Sequence, residues 1–275
     1  MTAMNDFLSE DDYEEPRCLL NMHPEYRPIP VDRVIEKLDS CLSRNDCSAA
    51  QRHLEYWLKE AEDGHDMRGR LTVLNEQIGL FRKTGKEEEC LQAVRSALSL
   101  ADALDIGGSI AYGTTLINAA TGYKAFGKAA EALPLYRRAR RIYEACLGPE
   151  DGRLGGLYNN MALALTDLKE YREAEALYRK AIGIMEKQEN GALEAAMSFL
   201  NLADLITAES GPEAGAPEVE KCLQKAEELL DTQSLPRNGY YAFVCEKCAP
   251  VFGYYGYFLT EQELNRRAGE IHDRT

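Results

Sequence analysis

A small or apolar residue, a larger apolar one four positions on and a small or apolar one three further returns along this chain about every 42 residues. The sets are Ala50/Leu54/Trp57, Cys90/Val94/Ala97, Ala132/Tyr136/Ala139, Ala174/Tyr178/Ala181 and Val219/Leu223/Ala226, offset by 40, 42, 42 and 45 residues. Spacings of four and three put each set on one helix face. A second pattern precedes the last three sets by 16, 16 and 20 residues: Leu116/Ala119/Ala120/Tyr123, Tyr158/Met161/Ala162/Leu165 and Phe199/Leu202/Ala203/Ile206. Each repeat is therefore two helices joined by a turn, at KAFGKAAE around Gly127 and at TDLKEYRE around Lys169. Alanines beside Tyr or Leu let the two helices approach closely. A unit this short cannot bury its apolar face alone, so successive units must stack into a solenoid.

Helix pairs are predicted near 31–63, 67–104, 109–147, 151–188, 192–231 and 236–273, giving one repeat domain over 30–275. The first pair is degenerate, with Trp57 at a small position and a thin Val34/Leu38/Cys41 stripe, as a terminal unit with one wet face should be. Residues 1–29 read as an acidic flexible tail ending in the Pro-rich arm HPEYRPIP. In the fifth pair, AESGPEAGAPEVE (208–220) carries two Gly and two Pro and is predicted to be a loop. Pro134 falls inside a helix and should cost it a hydrogen bond or a kink. Thr260 and Glu263 have the spacing of a capping box for the closing helix.

These small and large positions, in this order, resemble the tetratricopeptide repeat family, most strongly over 112–185. The period and the stretch LGPEDGRLGGLYNNMALAL are similar to the kinesin-light-chain-type subgroup, in which a Leu-Gly turn precedes an Asn-Asn-Leu-Ala helix. Here Met161 replaces the leucine, and Pro149-Glu150-Asp151-Gly152 stands in the turn. The resemblance implies an all-α, right-handed superhelix of about six antiparallel helix pairs, with the first helix of each pair lining the concave face. The two-lysine, two-asparagine clamp that chaperone-binding members use for a terminal carboxylate is not reproduced.

Asn118, Asn160 and Asn201 recur just before the Ala, Met and Leu of the first helices, beside the core stripe rather than in it. Asn is a poor helix former, about 0.5 kcal/mol worse than Ala. An uncharged carboxamide with donors and acceptors pairs with an extended main chain in either polarity. The resemblance places the three asparagines on the groove wall as a ladder for a peptide. The competing reading is that they bond neighbouring helix termini or sit in water. Asn159 has no counterpart one repeat away, where Ile117 and Leu200 stand. Thr121, Lys124, Thr166 and Asp204 fall on the same face, and Arg82 and Lys83 would make one end basic. Those cations would attract an acidic partner segment or simply be solvated.

The chain has 32 Lys and Arg against 46 Asp and Glu, a net charge of −14, which argues against nucleic-acid or anionic-membrane binding. No run of 18 apolar residues suits a membrane span, and MTAMNDFLSEDDYEEP lacks the basic and apolar regions of a secretory signal. Eight scattered cysteines read as reduced thiols, so a cytoplasmic location is expected. Cys245 and Cys248 form a CxxC, but zinc needs four ligands and only His272 is near in sequence, so buried structural thiols are expected. The sequence has no Gly-rich phosphate loop, GxSxG or HExxH, and neither an enzyme nor a cofactor is expected. The prediction is a non-enzymatic scaffold that binds a protein or peptide. Its alternatives are a receptor for a short regulatory peptide acting through another protein, and a homo-oligomer built through the aromatic C-terminal pair (Tyr240 to Phe258).

Overall fold

The computed structural model describes residues 26–273, which form twelve α-helices in six antiparallel pairs and, among the described residues, no strand. The helices are α1 (Val31–Ser43), α2 (Cys47–Asp63), α3 (Met67–Lys83), α4 (Glu87–Ala103), α5 (Ile110–Ala125), α6 (Ala129–Cys146), α7 (Gly152–Asp167), α8 (Tyr171–Met185), α9 (Ala192–Ser210), α10 (Ala216–Leu230), α11 (Gly239–Tyr254) and α12 (Phe258–His272). Each odd helix packs on its own partner and on the next odd helix from α3 to α11, so the odd helices form one continuous inner layer. Even helices pack on the odd helices flanking them, at α4–α5, α6–α7 and α8–α9.

The period is written in the backbone. Gly85, Gly127, Lys169 and Gly211, spaced 42 residues apart, all have positive φ (70°, 73°, 62° and 80°). At the first three, one further residue follows before the second helix starts. Lys169 holds this left-handed conformation with a side chain, a strain of about 1 kcal/mol that glycine escapes. In the fifth pair four residues rather than one follow Gly211, so the irregular segment is 211–215 rather than the predicted 208–220. Ala208 to Ser210 finish α9, and Pro217 sits in the first turn of α10, where a missing N–H costs nothing. Gly256 (φ 84°) closes the last turn in the same way and starts α12 at Phe258, two residues before the predicted cap. Thr260 therefore caps nothing. Its hydroxyl donates to Glu227 (2.6 Å), and Glu263 pairs with Arg266 and Arg267. Pro134 is carried within α6 on an exposed face.

The core stripes are the predicted ones except that Trp57, Tyr123 and Phe199 are only half-buried. Tyr136, Tyr178, Ala139 and Ala181 are fully buried between the helices of their pairs, as are Leu116, Met161 and Ala203 across from them. One large cluster runs from α3 to α12, and a smaller one joins α1 and α2 to Val73 and Leu80 on the other side of α3. The end of the Pro-rich arm is pinned rather than free. Arg27 N–H donates to Gly64 O (2.8 Å), and the buried Asp66 accepts from Ile29 N–H (3.0 Å) and Gly69 N–H (2.9 Å). A side chain at Gly64 would meet Arg27 O at 2.3 Å, so the arm lies directly on that turn. The acidic tail lies outside the described residues.

Candidate functional site

Counted by the repeat, Glu76, Asn118, Asn160 and Asn201 share one position on the inner layer, and Asn75, Ile117, Asn159 and Leu200 share the position before it. Thr115, Leu157 and Ser198 share a third, on the adjoining turn. The structure joins these positions across successive repeats. Between α3 and α5, Asn118 Nδ2 donates to Asn75 Oδ1 (2.9 Å), and Asn75 Nδ2 donates to Thr115 Oγ1 (3.1 Å) and to Leu71 O (2.9 Å). Between α7 and α9, Asn201 Nδ2 donates to Asn159 Oδ1 (3.0 Å), which also accepts from Ser198 Oγ (3.1 Å). Thr115 (1 % exposed) and Ser198 (2 %) are among the few buried polar side chains, and these bonds satisfy them.

Asn159 thus has a counterpart after all in Asn75, and both serve as acceptors for the asparagine of the next repeat. Between α5 and α7 the acceptor position is Ile117 and the hydroxyl position is the buried Leu157, so Asn160 finds no partner there. It is half-buried with its carboxamide bonded to no described residue. The predicted ladder is therefore two braced rungs, Asn118 and Asn201, around one unbraced rung, Asn160. Bracing uses one N–H of each rung and leaves its Oδ1 and second N–H available.

The other predicted residues divide. Thr121 lies 2.9 Å from the Tyr136 hydroxyl and donates to Ile117 O (2.8 Å). Burial pushes the Tyr136 phenol up to about 12, so it stays neutral in that contact. Thr166 donates to Ala162 O (2.9 Å). Lys124 at the end of α5 pairs with Asp167 at the end of α7 (3.6 Å). Asp204 accepts from Tyr255 OH of α11 (3.0 Å). Burial raises the carboxyls of both Glu76, with Asp39 adding to it, and Asp204 above their usual values.

Arg82 and Lys83 line a cavity of about 490 Å³ with Leu38 and Leu42 of α1, Glu76 of α3, and Phe243 and Lys247 of α11. The first and last odd helices thus face one another across the concave side. Sequence reasoning missed this role of α11. Its Tyr240, Phe243, Lys247, Pro250 and Tyr254 lie on one face by spacings of three and four, and all are exposed. Tyr241, Cys245, Cys248 and Phe252 occupy the opposite, buried face. Burial pushes the Cys245 thiol up to about 11 and the Cys248 thiol up to about 12, so both are poor nucleophiles. His272 bonds Glu246 (2.9 Å). Among the described residues, no three His, Cys, Asp or Glu side chains are grouped to hold a metal.

Paired helices stacked on a continuous inner layer with an open, polar concave face define a helical-repeat scaffold of the protein-interaction class. Tetratricopeptide repeat family models match residues 69–145 and 155–187. Among solved structures, a putative kinesin light chain of Podosopora anserina with nearly identical tetratricopeptide-like repeats aligns at 16% identity and TM-score 0.53, covering 74% of this chain and 96% of that one. A Rap protein complexed with competence and sporulation factor aligns at 14% identity and TM-score 0.52, covering 86% and 73%. MamA from Desulfovibrio magneticus aligns at 15% identity and TM-score 0.50, covering 74% and 97%. No curated protein matches the sequence. The chain carries tetratricopeptide repeats, and its fold is similar to that of kinesin-light-chain-like repeat structures. Proteins built from these repeats bind other proteins or peptides and are in general scaffolds without enzymatic activity. Among the described residues, no helix is long and apolar enough to cross a membrane.

Proposed function

We propose that this chain is a non-enzymatic scaffold whose concave face holds an extended peptide segment of a partner protein. The observation that carries the proposal is the unbraced Asn160 between two braced asparagines. Asn118 and Asn201 are fixed in orientation by Asn75 and Asn159 before any ligand arrives, so less side-chain entropy is lost when they engage a main chain. Asn160 keeps its whole donor and acceptor set for a ligand. Lys124, Thr166 and Asp204 flank the asparagines, while Arg82 and Lys83 of α3 meet Phe243 and Lys247 of α11 in one cavity. Thr121, held by Tyr136, supports the wall rather than the ligand.

The test is to select a peptide for this chain from a random display library and map its footprint by hydrogen exchange. Protection is expected on α5, α7 and α9, centred on residues 118, 160 and 201. Protection confined to the even helices or to the chain's edges contradicts the groove. A free short peptide and a segment of a larger chain would leave the same footprint. Self-association is a second reading, favoured by Phe258 (61 % exposed) and Leu259 (83 %) at the last turn. Mass in solution against concentration, with Leu259→Asp as the control, distinguishes it.

A further inference from the structure

The inner face ends in a cleft of about 640 Å³ between α9 and α11, walled by Asp204, Ala208, Pro212, Pro250, Tyr254 and Tyr255. Its chemistry differs from that of the asparagine row. The Tyr255 hydroxyl donates to one Asp204 carboxylate oxygen (3.0 Å) and lies 2.9 Å from Thr207 Oγ1, which fixes both the ring and the carboxylate. The Tyr254 ring meets Tyr255 edge-on, with centroids 5.0 Å apart and planes at 83°. Tyr254 is 74 % exposed, so its face is presented to whatever enters. Among the described residues, no Lys, Arg or His forms an ion pair with Asp204. The cleft walls strip enough water from this carboxyl to raise it above its usual value, although its outer edge stays open.

We propose that this cleft takes an arginine side chain of the bound segment. The reading of the concave face as a peptide groove supplies the segment, and the cleft supplies the side-chain preference. A guanidinium is planar, so it can stack on Tyr254 while directing paired N–H donors at the Asp204 carboxylate. An ammonium gains the charge but neither the stacking plane nor the two-pronged bond. An apolar side chain would cover the carboxylate and leave it only the Tyr255 hydroxyl, with no cation, which costs free energy. An anionic one meets a like charge with no cation beside it. The net charge of −14 speeds the approach of a basic segment.

The experiment is an NMR titration of the isotopically labelled full chain with N-acetyl-arginine methylamide and with its neutral isostere, N-acetyl-citrulline methylamide. The arginine probe should shift the amides of Asp204, Thr207, Val251, Tyr254 and Tyr255 saturably, with citrulline about tenfold weaker. Asp204→Asn keeps the acceptor for Tyr255 and should bring arginine down to the citrulline level. Tyr254→Ala should weaken arginine more than it weakens a lysine probe. Shifts absent from the cleft, equal for the two probes, or indifferent to Asp204→Asn would overturn the assignment. A failed arginine probe with a display-selected peptide still protecting α5, α7 and α9 removes only the cleft's selectivity. A selective probe with no such protection removes the groove reading instead.

Discussion

The α5–α7 and α7–α9 contacts are made by consecutive repeats, yet their chemistry differs. Across α7–α9 an asparagine at one position accepts from the asparagine and the serine of the next helix. Across α5–α7 the same three positions hold Ile117, Leu157 and Asn160, two of them apolar. Both contacts pack well, because one substitutes buried hydrogen bonds for what the other achieves with apolar area. The consequence falls on the asparagine itself. Where the preceding repeat offers an acceptor, as Asn75 and Asn159 do, one N–H of the side chain is spent on the scaffold, and where it offers Ile117, the whole carboxamide is left for a ligand. A repeated asparagine at one offset is thus braced or unbraced according to the acceptor position of the repeat before it.

Four changes would break or sharpen this comparison. The largest effect is expected from Asn159→Ala, which takes the acceptor from Asn201 in a half-buried seam and leaves Ser198 only Glu194 O, and should cost about 1–3 kcal/mol in urea denaturation. A loss no greater than that of an exposed Asn→Ala control would show that the α7–α9 bonds are ornamental. Next, Ile117→Asn should give Asn160 the acceptor that Asn75 gives Asn118. A double-mutant cycle between positions 117 and 160 should return a favourable coupling of about 1 kcal/mol, and zero coupling would break the comparison.

Asn160→Ala alone should raise stability by about 0.5 kcal/mol, since it improves helix propensity and removes no bond within the chain. A destabilisation of the size expected for Asn159→Ala would mean Asn160 is a brace too. The smallest effect concerns Glu76, which holds the asparagine position in α3. Its folded carboxyl is raised by burial and by Asp39, so at neutral pH its charge opposes folding. Glu76→Gln should therefore be slightly more stable than the parent near pH 7. That advantage should fade as pH drops through the raised value and be gone below the ordinary 4.5, where the parent is neutral in both states. Urea midpoints across that range check it, and an advantage growing toward acid has the wrong sign.

The repeat made most of the fold readable. The 42-residue step fixes where left-handed turn residues fall, at Gly85, Gly127, Lys169 and Gly211, and the small-large spacing fixes which face of each helix is buried. Local cues competed poorly with that frame. Thr260 and Glu263 have capping-box spacing, but the Gly256 turn starts α12 two residues earlier and the side chains bond elsewhere. The Gly and Pro residues of 208–220 suggested a long loop, but alanines and glutamates, with Pro217 in a first turn, are compatible with helix at both ends.

The site was less readable than the fold. The asparagine series stood out by composition, but its bracing depends on contact between position 75 of one repeat and position 118 of the next, one residue more than the period. Only the stagger of adjacent helices reveals that offset. The α11 stripe from Tyr240 to Tyr254 was visible as spacing alone. Which of its two apolar faces is buried depends on how α11 docks against α9 and α12.

The central claim is that the asparagine row of the inner layer holds a peptide main chain. Its most direct test is the affinity of one display-selected peptide for the parent chain and for the Asn118/Asn160/Asn201→Ala variant, compared by titration calorimetry. The account predicts a loss of about tenfold or more with the variant still folded and cooperative, since three uncharged hydrogen-bonding groups contribute on the order of 0.5–1.5 kcal/mol each. Unchanged affinity in a folded variant would contradict it.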